Sequence, residues 1–330
     1  MTSCFFAKTS DKKGVFLRMT HPKLESLLDT INRVIVGKED QVRLLLTAML
    51  ARGHVLLEDL PGMGKTVLAK TLAQAIGGTY NRVQFTADLL PSDVVGLHVF
   101  NPRTNEFELR RGPVFADVLL ADEINRATPR TQSGLLECME ERQVTIEGVT
   151  LPLPSSLLVI ATQNPIESEG TYPLPEAQLD RFLFRLALGY GSREDAREIL
   201  RRFRGQSPLE QVHAVVSPDE IAALQRETTA IHVSPAVEEY VIDLTEATRN
   251  HRSVEVGLSP RAMLALLRSA QAAALLDGRS YVLPDDVKQV FPPLAVHRIR
   301  LSMEAELHVT EQEIIQEILR EVHAPVEEGV

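Results

Sequence analysis

Residues 58–66 read EDLPGMGKT, a stretch whose residue types and spacing could hold a phosphate group. A phosphate loop works because backbone N–H groups leaving a strand converge on the anion, and the following helix adds the positive end of its dipole. Lysine supplies charge and a Ser/Thr hydroxyl takes a magnesium ion. Gly62, Gly64, Lys65 and Thr66 have those identities, but Asp59 stands where the pattern G-x-x-x-x-G-K-[ST] has its first glycine. Aspartate tolerates turn conformations through its own side-chain hydrogen bonds, so the loop is expected to survive the substitution. A second stretch, DVLLADE (117–123), is an apolar strand ending in two acids. Asp122 at the strand's edge can hold the magnesium, and Glu123 can orient and deprotonate an attacking water. A third, LLVIATQNP (157–165), ends a buried strand in Gln163 and Asn164, whose amides can reach a terminal phosphate or the same water. Phosphoryl transfer also calls for an arginine against the developing charge, worth about 10³ to 10⁵ in rate in known cases. Arg126, Arg130, Arg181 and Arg261 all qualify by residue type.

Such residues need strands and helices to bring them together. HVLLE (54–58) reads as a short buried strand before the loop, and KTVLAKTLAQAI (65–76) as a helix after it, stopped by Gly77 and Gly78. RVQFT (82–86), DVLLA (117–121), LLVIAT (157–162) and FRLAL (184–188) are further runs of strand length lying between helical patterns. That alternation predicts a parallel sheet with helices on both faces. Two amphipathic helices precede it, one over Leu24–Ile35 and one after Gly37 with Val42, Leu45, Leu46, Met49 and Leu50 on one side. Segments 96–113 and 142–154 read as hairpins inserted into the α/β core, turning at Pro102–Asn105 and Glu147–Gly148. Beyond Gly189 the strand signals stop, and successive helical patterns follow, most of them opening with Ser-Pro or Leu-Pro. The expected organisation is an α/β core over 21–189 and an all-helical domain over 190–330. Residues 1–20 show no apolar period and are expected to be a loose extension, with Met19 a second candidate start.

Composition narrows the class. A chain of 330 residues with 44% hydrophobic residues can bury one large core or two modest ones. Its formal net charge of -10 argues against holding duplex DNA by bulk electrostatics. Cys4 and Cys138 make no disulfide framework, no secretory or lipidation signal is read at the ends, and the expected location is the cytoplasm. The uncharged stretch from Gly148 to Ile166 contains Pro152, Pro154 and Pro165 and is a poor membrane helix. Cys138 lies on an amphipathic helix and reads as a packing residue. The histidines show no metal-ligand spacing.

The order VIVGKEDQV, LLEDLPGMGKT, LLADEINRATPRTQSGLLECMEERQVT, ATQNPIESEGTYPLPEAQLDRF and GLSPRAMLAL resembles the MoxR family of AAA+ ATPases over roughly residues 24 to 310. The resemblance implies an α/β P-loop core with a parallel sheet and inserted hairpins, followed by a small all-helical lid. It implies ATP and Mg2+ as cofactors. Lys65 would contact the β- and γ-phosphates and Thr66 the magnesium, with Pro61, Gly62, Met63, Gly64 and Val67 completing the loop's contacts. Asp122 and Glu123 match the acidic motif, Asn164 matches sensor 1, and Val36 and Gly37 match the segment beside the adenine. Arg181 matches an arginine finger reaching a neighbouring subunit's nucleotide, and Arg261 matches sensor 2. The family's own phosphate loop often carries the acid seen here as Asp59. A finger acting in trans would leave a lone subunit nearly inactive, so a ring, most simply a hexamer formed or tightened by ATP, is expected. The resemblance implies that it remodels or matures protein clients, by complex assembly or metal-cofactor insertion, with a von Willebrand factor A domain protein as partner. A nucleic-acid motor and the ATPase subunit of a metal chelatase are the competing readings. The hairpin at 96–113, with Phe100, Phe107, Arg103, Arg110 and Arg111, is the expected client-facing surface.

Overall fold

The computed structural model describes residues 21–60, 62–164 and 170–325. The extension expected over 1–20 and Pro61 of the loop lie outside those residues. Two helices, α1 (Pro22–Val34) and α2 (Glu39–Leu50), lead into β1 (Val55–Glu58), α3 (Lys65–Ala75) and β2 (Tyr80–Gln84). A short α4 (Pro91–Val95) precedes the hairpin β3 (Gly96–Asn101) and β4 (Glu106–Arg111), after which come β5 (Val118–Asp122) and α5 (Pro129–Glu141). The second hairpin is β6 (Gln143–Ile146) and β7 (Val149–Pro152), followed by β8 (Leu158–Gln163), α6 (Glu176–Leu179) and β9 (Phe184–Leu186). Among the described residues one five-stranded sheet forms, in the order β2-β5-β8-β1-β9, with every pairing parallel. The order puts β1, which leads into the phosphate loop, beside β8, and β8 beside β5. The three stretches that carry candidate chemistry therefore end side by side at the C-terminal ends of the three central strands.

Alternation along these strands assigns the two faces. Val55, Leu57, Val118, Leu120, Leu158 and Ile160 enter one buried cluster with α1, α2 and α3. Leu56, Leu119, Ala121, Val159 and Ala161 enter another with α5, Phe85 and the base of the β6–β7 hairpin. Cys138 belongs to this second cluster, and burial pushes its thiol up to about 12, so it packs and does not react.

The rest of the chain comprises α7 (Arg193–Arg202), α8 (Pro218–Thr228), α9 (Pro235–Asn250), β10 (Val254–Val256), α10 (Pro260–Leu276), α11 (Pro284–Ala295), β11 (Arg300–Leu301) and α12 (Glu311–Glu321). Ser192, Ser217, Ser234, Ser259 and Thr310 each cap a helix by accepting the backbone N–H three residues on. To the expected helices the structure adds the antiparallel ribbon β10–β11, too short to leave a periodic signal, and α12. Residues of α8 to α12 join the same buried cluster as α1 and α2, so the apolar interior is continuous between the sheet and the helical part. Among the described residues no helix is long and apolar enough to cross a membrane.

Candidate active site

The phosphate loop leaves β1 and enters α3 at Gly64. Gly62 and Gly64 have φ of +84° and +86°, which only glycine adopts without strain, and a Cβ on either would meet nothing within 4 Å. The space in front of them is open to an anion approaching the α3 N-terminus. Lys65 Nζ donates to the Asp59 carbonyl at 2.8 Å. Burial lowers the Lys65 pKa, while the carboxylates of Asp59, Asp122 and Glu123 oppose that shift.

Asp59 does something the sequence pattern does not suggest. Its carboxylate accepts the backbone N–H groups of Leu188 at 2.5 Å and Gly189 at 2.9 Å, just beyond β9. The acid at the first-glycine position thus fastens the start of the loop to the exit of the neighbouring strand. Beside it, Glu58 at the end of β1 pairs with Arg185 of β9, whose Nε lies at 2.5 Å, and accepts from the Gln163 amide.

The acidic motif is held from both sides. Thr162 of β8 donates Oγ1 to Asp122 Oδ1 at 2.6 Å, and the same oxygen accepts the Glu123 N–H at 2.9 Å. From β2, Arg82 Nη2 reaches Asp122 Oδ2 at 2.6 Å and Gln84 Nε2 donates to Glu123 Oε2 at 2.8 Å. Arg126 Nε lies 2.9 Å from the same Glu123 oxygen. Glu123 itself has φ +55°, a left-handed conformation costing of the order of 1–3 kcal/mol for a side chain with a Cβ, imposed where β5 turns into the next segment.

Gly62, Met63, Gly64, Lys65, Thr66, Val67, Asp122, Glu123 and Asn164 line a single cavity of about 400 Å³, with Asp59, Arg82 and Gln84. Backbone donors and a lysine suit phosphate oxygens, while the Thr66 hydroxyl and the Asp122 carboxylate are hard oxygen donors suited to magnesium. A carboxylate and an amide near the same space can handle a water.

Arg181 and Arg261 stand elsewhere. Both line a larger cavity, about 780 Å³, between α5, α10 and the segment entering β9. Arg181 Nε lies 2.8 Å from Glu140 Oε2, and Arg261 Nη1 2.9 Å from Glu140 Oε1. Val36 and Gly37 line neither cavity. They join α1 to α2, and Gly37, at φ +66°, faces α7 so closely that a Cβ would sit 2.3 Å from the Asp195 carboxyl carbon.

Residues 54–184 match the ATPase family associated with various cellular activities (AAA), and residues 246–318 match the AAA lid domain. The chain is 43% identical to chaperone MoxR1 of Mycobacterium tuberculosis, an alignment covering 92% of this chain and 82% of that one. The chain belongs to the MoxR family of AAA+ ATPases. An uncharacterized Bacillus subtilis protein, YeaC, is 48% identical over 93% of this chain and 96% of its own. A crystal structure of a Cytophaga hutchinsonii protein superimposes with a TM-score of 0.86 at 40% identity, covering 92% of this chain and 96% of that one. Within this MoxR-type architecture the helical segment is the lid, and the α/β sheet is the nucleotide-binding core.

Arg82, Gln84, Thr162 and Glu140 are the site neighbours that the motifs did not mark. Gln84 pairs in register with Asp122 on the adjoining strand, so the sheet order exposes it where spacing along the chain does not.

Proposed function

We propose that this MoxR-family protein hydrolyses ATP with Mg2+ in a ring, most simply a hexamer, and uses the cycle to remodel partner proteins in the cytoplasm. The carrying observation is the division of the candidate residues between two cavities. Lys65, Thr66, Asp122, Glu123 and Asn164 share one, whereas Arg181 and Arg261 share the other. At the first, Arg82 is held by Asp122 and Arg126 by Glu123, so a transition state forming there calls for positive charge beyond that of Lys65. A neighbouring subunit that presents its Arg181 and Arg261 supplies it, so the complete site lies between two copies. In this reading Thr66 and Asp122 hold the magnesium, Lys65 and the loop amides hold the phosphates, Glu123 activates water and Asn164 orients it. Gln84 holds Glu123 in a defined direction until nucleotide arrives.

Support for a protein client comes from the β3–β4 hairpin. Phe100 and Phe107 stack edge to face at 5.4 Å, with Phe107 71% exposed, and Arg110 follows on the same strand as Phe107. Exposed aromatics flanked by arginine suit a protein surface. The name of the M. tuberculosis relative, a chaperone, points the same way. A von Willebrand factor A domain protein is the partner this reading favours.

Glu123→Gln tests both halves. It is expected to bind ATP and not to turn it over, and when held with ATP it should retain the client from native extract with or without nuclease. Wild-type turnover by this variant would remove Glu123 from its role, and capture that vanishes with nuclease would favour a nucleic-acid motor.

A further inference from the structure

Glu140 places one carboxylate between two guanidinium groups from different parts of the chain. It is the penultimate residue of α5, Arg181 follows α6, and Arg261 is the second residue of α10 in the lid. Each Glu140 oxygen takes a different arginine, Oε2 at 2.8 Å from Arg181 and Oε1 at 2.9 Å from Arg261. Two further arginines of this cavity are committed to the fold. Arg298 donates to Asp180 and to the carbonyls of Leu183, Leu294 and Phe182, and Arg142 donates to those of Ser155, Leu157 and Arg52.

Local electrostatics disfavour both ends of the Arg261 pair. Glu140 sits at the negative end of the α5 dipole and Arg261 at the positive end of the α10 dipole. Neither charge stabilises its own helix, so helix stability does not account for their presence. A second carboxylate, Asp180, lies 3.8 Å from Arg261 but is bound more closely, at 2.6 Å, by Arg298. Two carboxylates against three guanidiniums leave positive charge unneutralised at a half-exposed surface, since the Arg261 side chain is 52% and that of Arg181 28% exposed. Such partly exposed pairs are weak enough to give way to a more highly charged anion.

We propose that Glu140 is a positioning residue that binds Arg181 and Arg261 as one unit and presents them together to the triphosphate of the adjoining subunit. This rests on the reading that the two arginines serve a neighbour's nucleotide. The contacts that matter for Glu140 are those with the two arginines. It acts by removing rotamer freedom from two long side chains before the ring closes, and it couples the lid of one subunit to the hydrolytic site of the next. A misplacement of the order of 1 Å in such a group costs about a hundredfold in rate.

The test uses mixed rings of full-length chains. Lys65→Ala subunits lack a working pocket but keep their arginines, and Arg181→Ala subunits keep the pocket, so every complete site in the mixture pairs one of each. Glu140→Gln is then added to one partner at a time. Placed in the Lys65→Ala chain, which donates the arginines, it should lower the mixed-ring kcat at least tenfold with KM for ATP unchanged. Placed in the Arg181→Ala chain it should change nothing. Glu140→Asp in the donor, keeping the charge with shorter reach, should give an intermediate rate. Equal loss in either position, or no loss in the donor, overturns the role of Glu140 while leaving the shared site standing. A mixture without any Glu140 change that gains no activity overturns the shared site and this proposal with it.

Discussion

Asp59 shows how a departure from a motif can be a structural choice. Only 6% of its surface is exposed, and its two oxygens accept the Leu188 and Gly189 amides. Asp59→Gly would restore the familiar loop pattern and is expected to destabilise the protein, because two N–H groups lose a buried acceptor at about 1–3 kcal/mol each. Urea unfolding of the variant measures this; equal stability would contradict it. Thr162, fully buried, holds Asp122 and the Glu123 backbone through one oxygen. Thr162→Val keeps the volume and should reduce turnover by about ten- to a hundredfold with ATP affinity nearly unchanged, since it misplaces the acids without touching the loop. Single-turnover and nucleotide-binding assays separate the two quantities. The loop glycines, Lys65, Thr66, Asp122, Glu123 and Asn164 were legible because a contiguous motif carries its own spacing. Thr162, Arg82, Gln84 and Glu140 were not, because their significance comes from a neighbouring strand or a distant helix.

Strand order is the element-scale device that gathers the site, and buried histidines help fix it. His54, just before β1, accepts the Val159 N–H of β8 at Nδ1 and meets the Met139 carbonyl of α5 through Nε2 at 3.1 Å. Burial, with Arg142 adding to it, lowers its pKa to about 3. His297 is likewise lowered well below its usual value, by burial and then Arg298, while Nε2 faces the Phe182 carbonyl at 2.9 Å. Both are neutral in the folded chain, whereas the unfolded chain takes up protons near pH 6.5. Their contribution is therefore complete above pH 6.5 and is lost as pH falls toward about 3 for His54. Stability should drop by about 1 kcal/mol per histidine between pH 6.5 and 5.5, above the range of ordinary carboxylates. Denaturant titrations at those two pH values read the slope, and a flat profile would mean the histidines charge without cost. At this scale the sheet strands, both hairpins and the successive lid helices were legible from apolar runs, turn residues and Ser-Pro starts. The ribbon β10–β11 pairs segments of three and two residues across a long stretch of chain, which no local pattern announces. α12 carried a readable signal in its Thr310–Glu313 capping box and in Ile314, Ile315 and Ile318.

At the scale of the whole molecule, the cavity with the phosphate loop and the cavity with Arg181 and Arg261 are separate, while one apolar cluster links the sheet to the lid. On the proposed reading, a lid packed continuously onto the core is what would carry a change at the nucleotide to Arg181 and Arg261. Gly37 lies outside that cluster, in the turn between α1 and α2 and against Asp195 of α7. Gly37→Ala, forced into a strained φ and into the Asp195 carboxyl, should displace α7 and lower stability, which urea unfolding beside the wild type would report; equal stability would contradict it. The central claim, a hydrolytic site completed between subunits, is tested most directly by mixing. Lys65→Ala and Arg181→Ala chains should each be nearly inactive alone, and their equimolar mixture should hydrolyse ATP at a substantial fraction of the wild-type rate. A mixture no more active than its components, or an Arg181→Ala chain with undiminished activity alone, would contradict it.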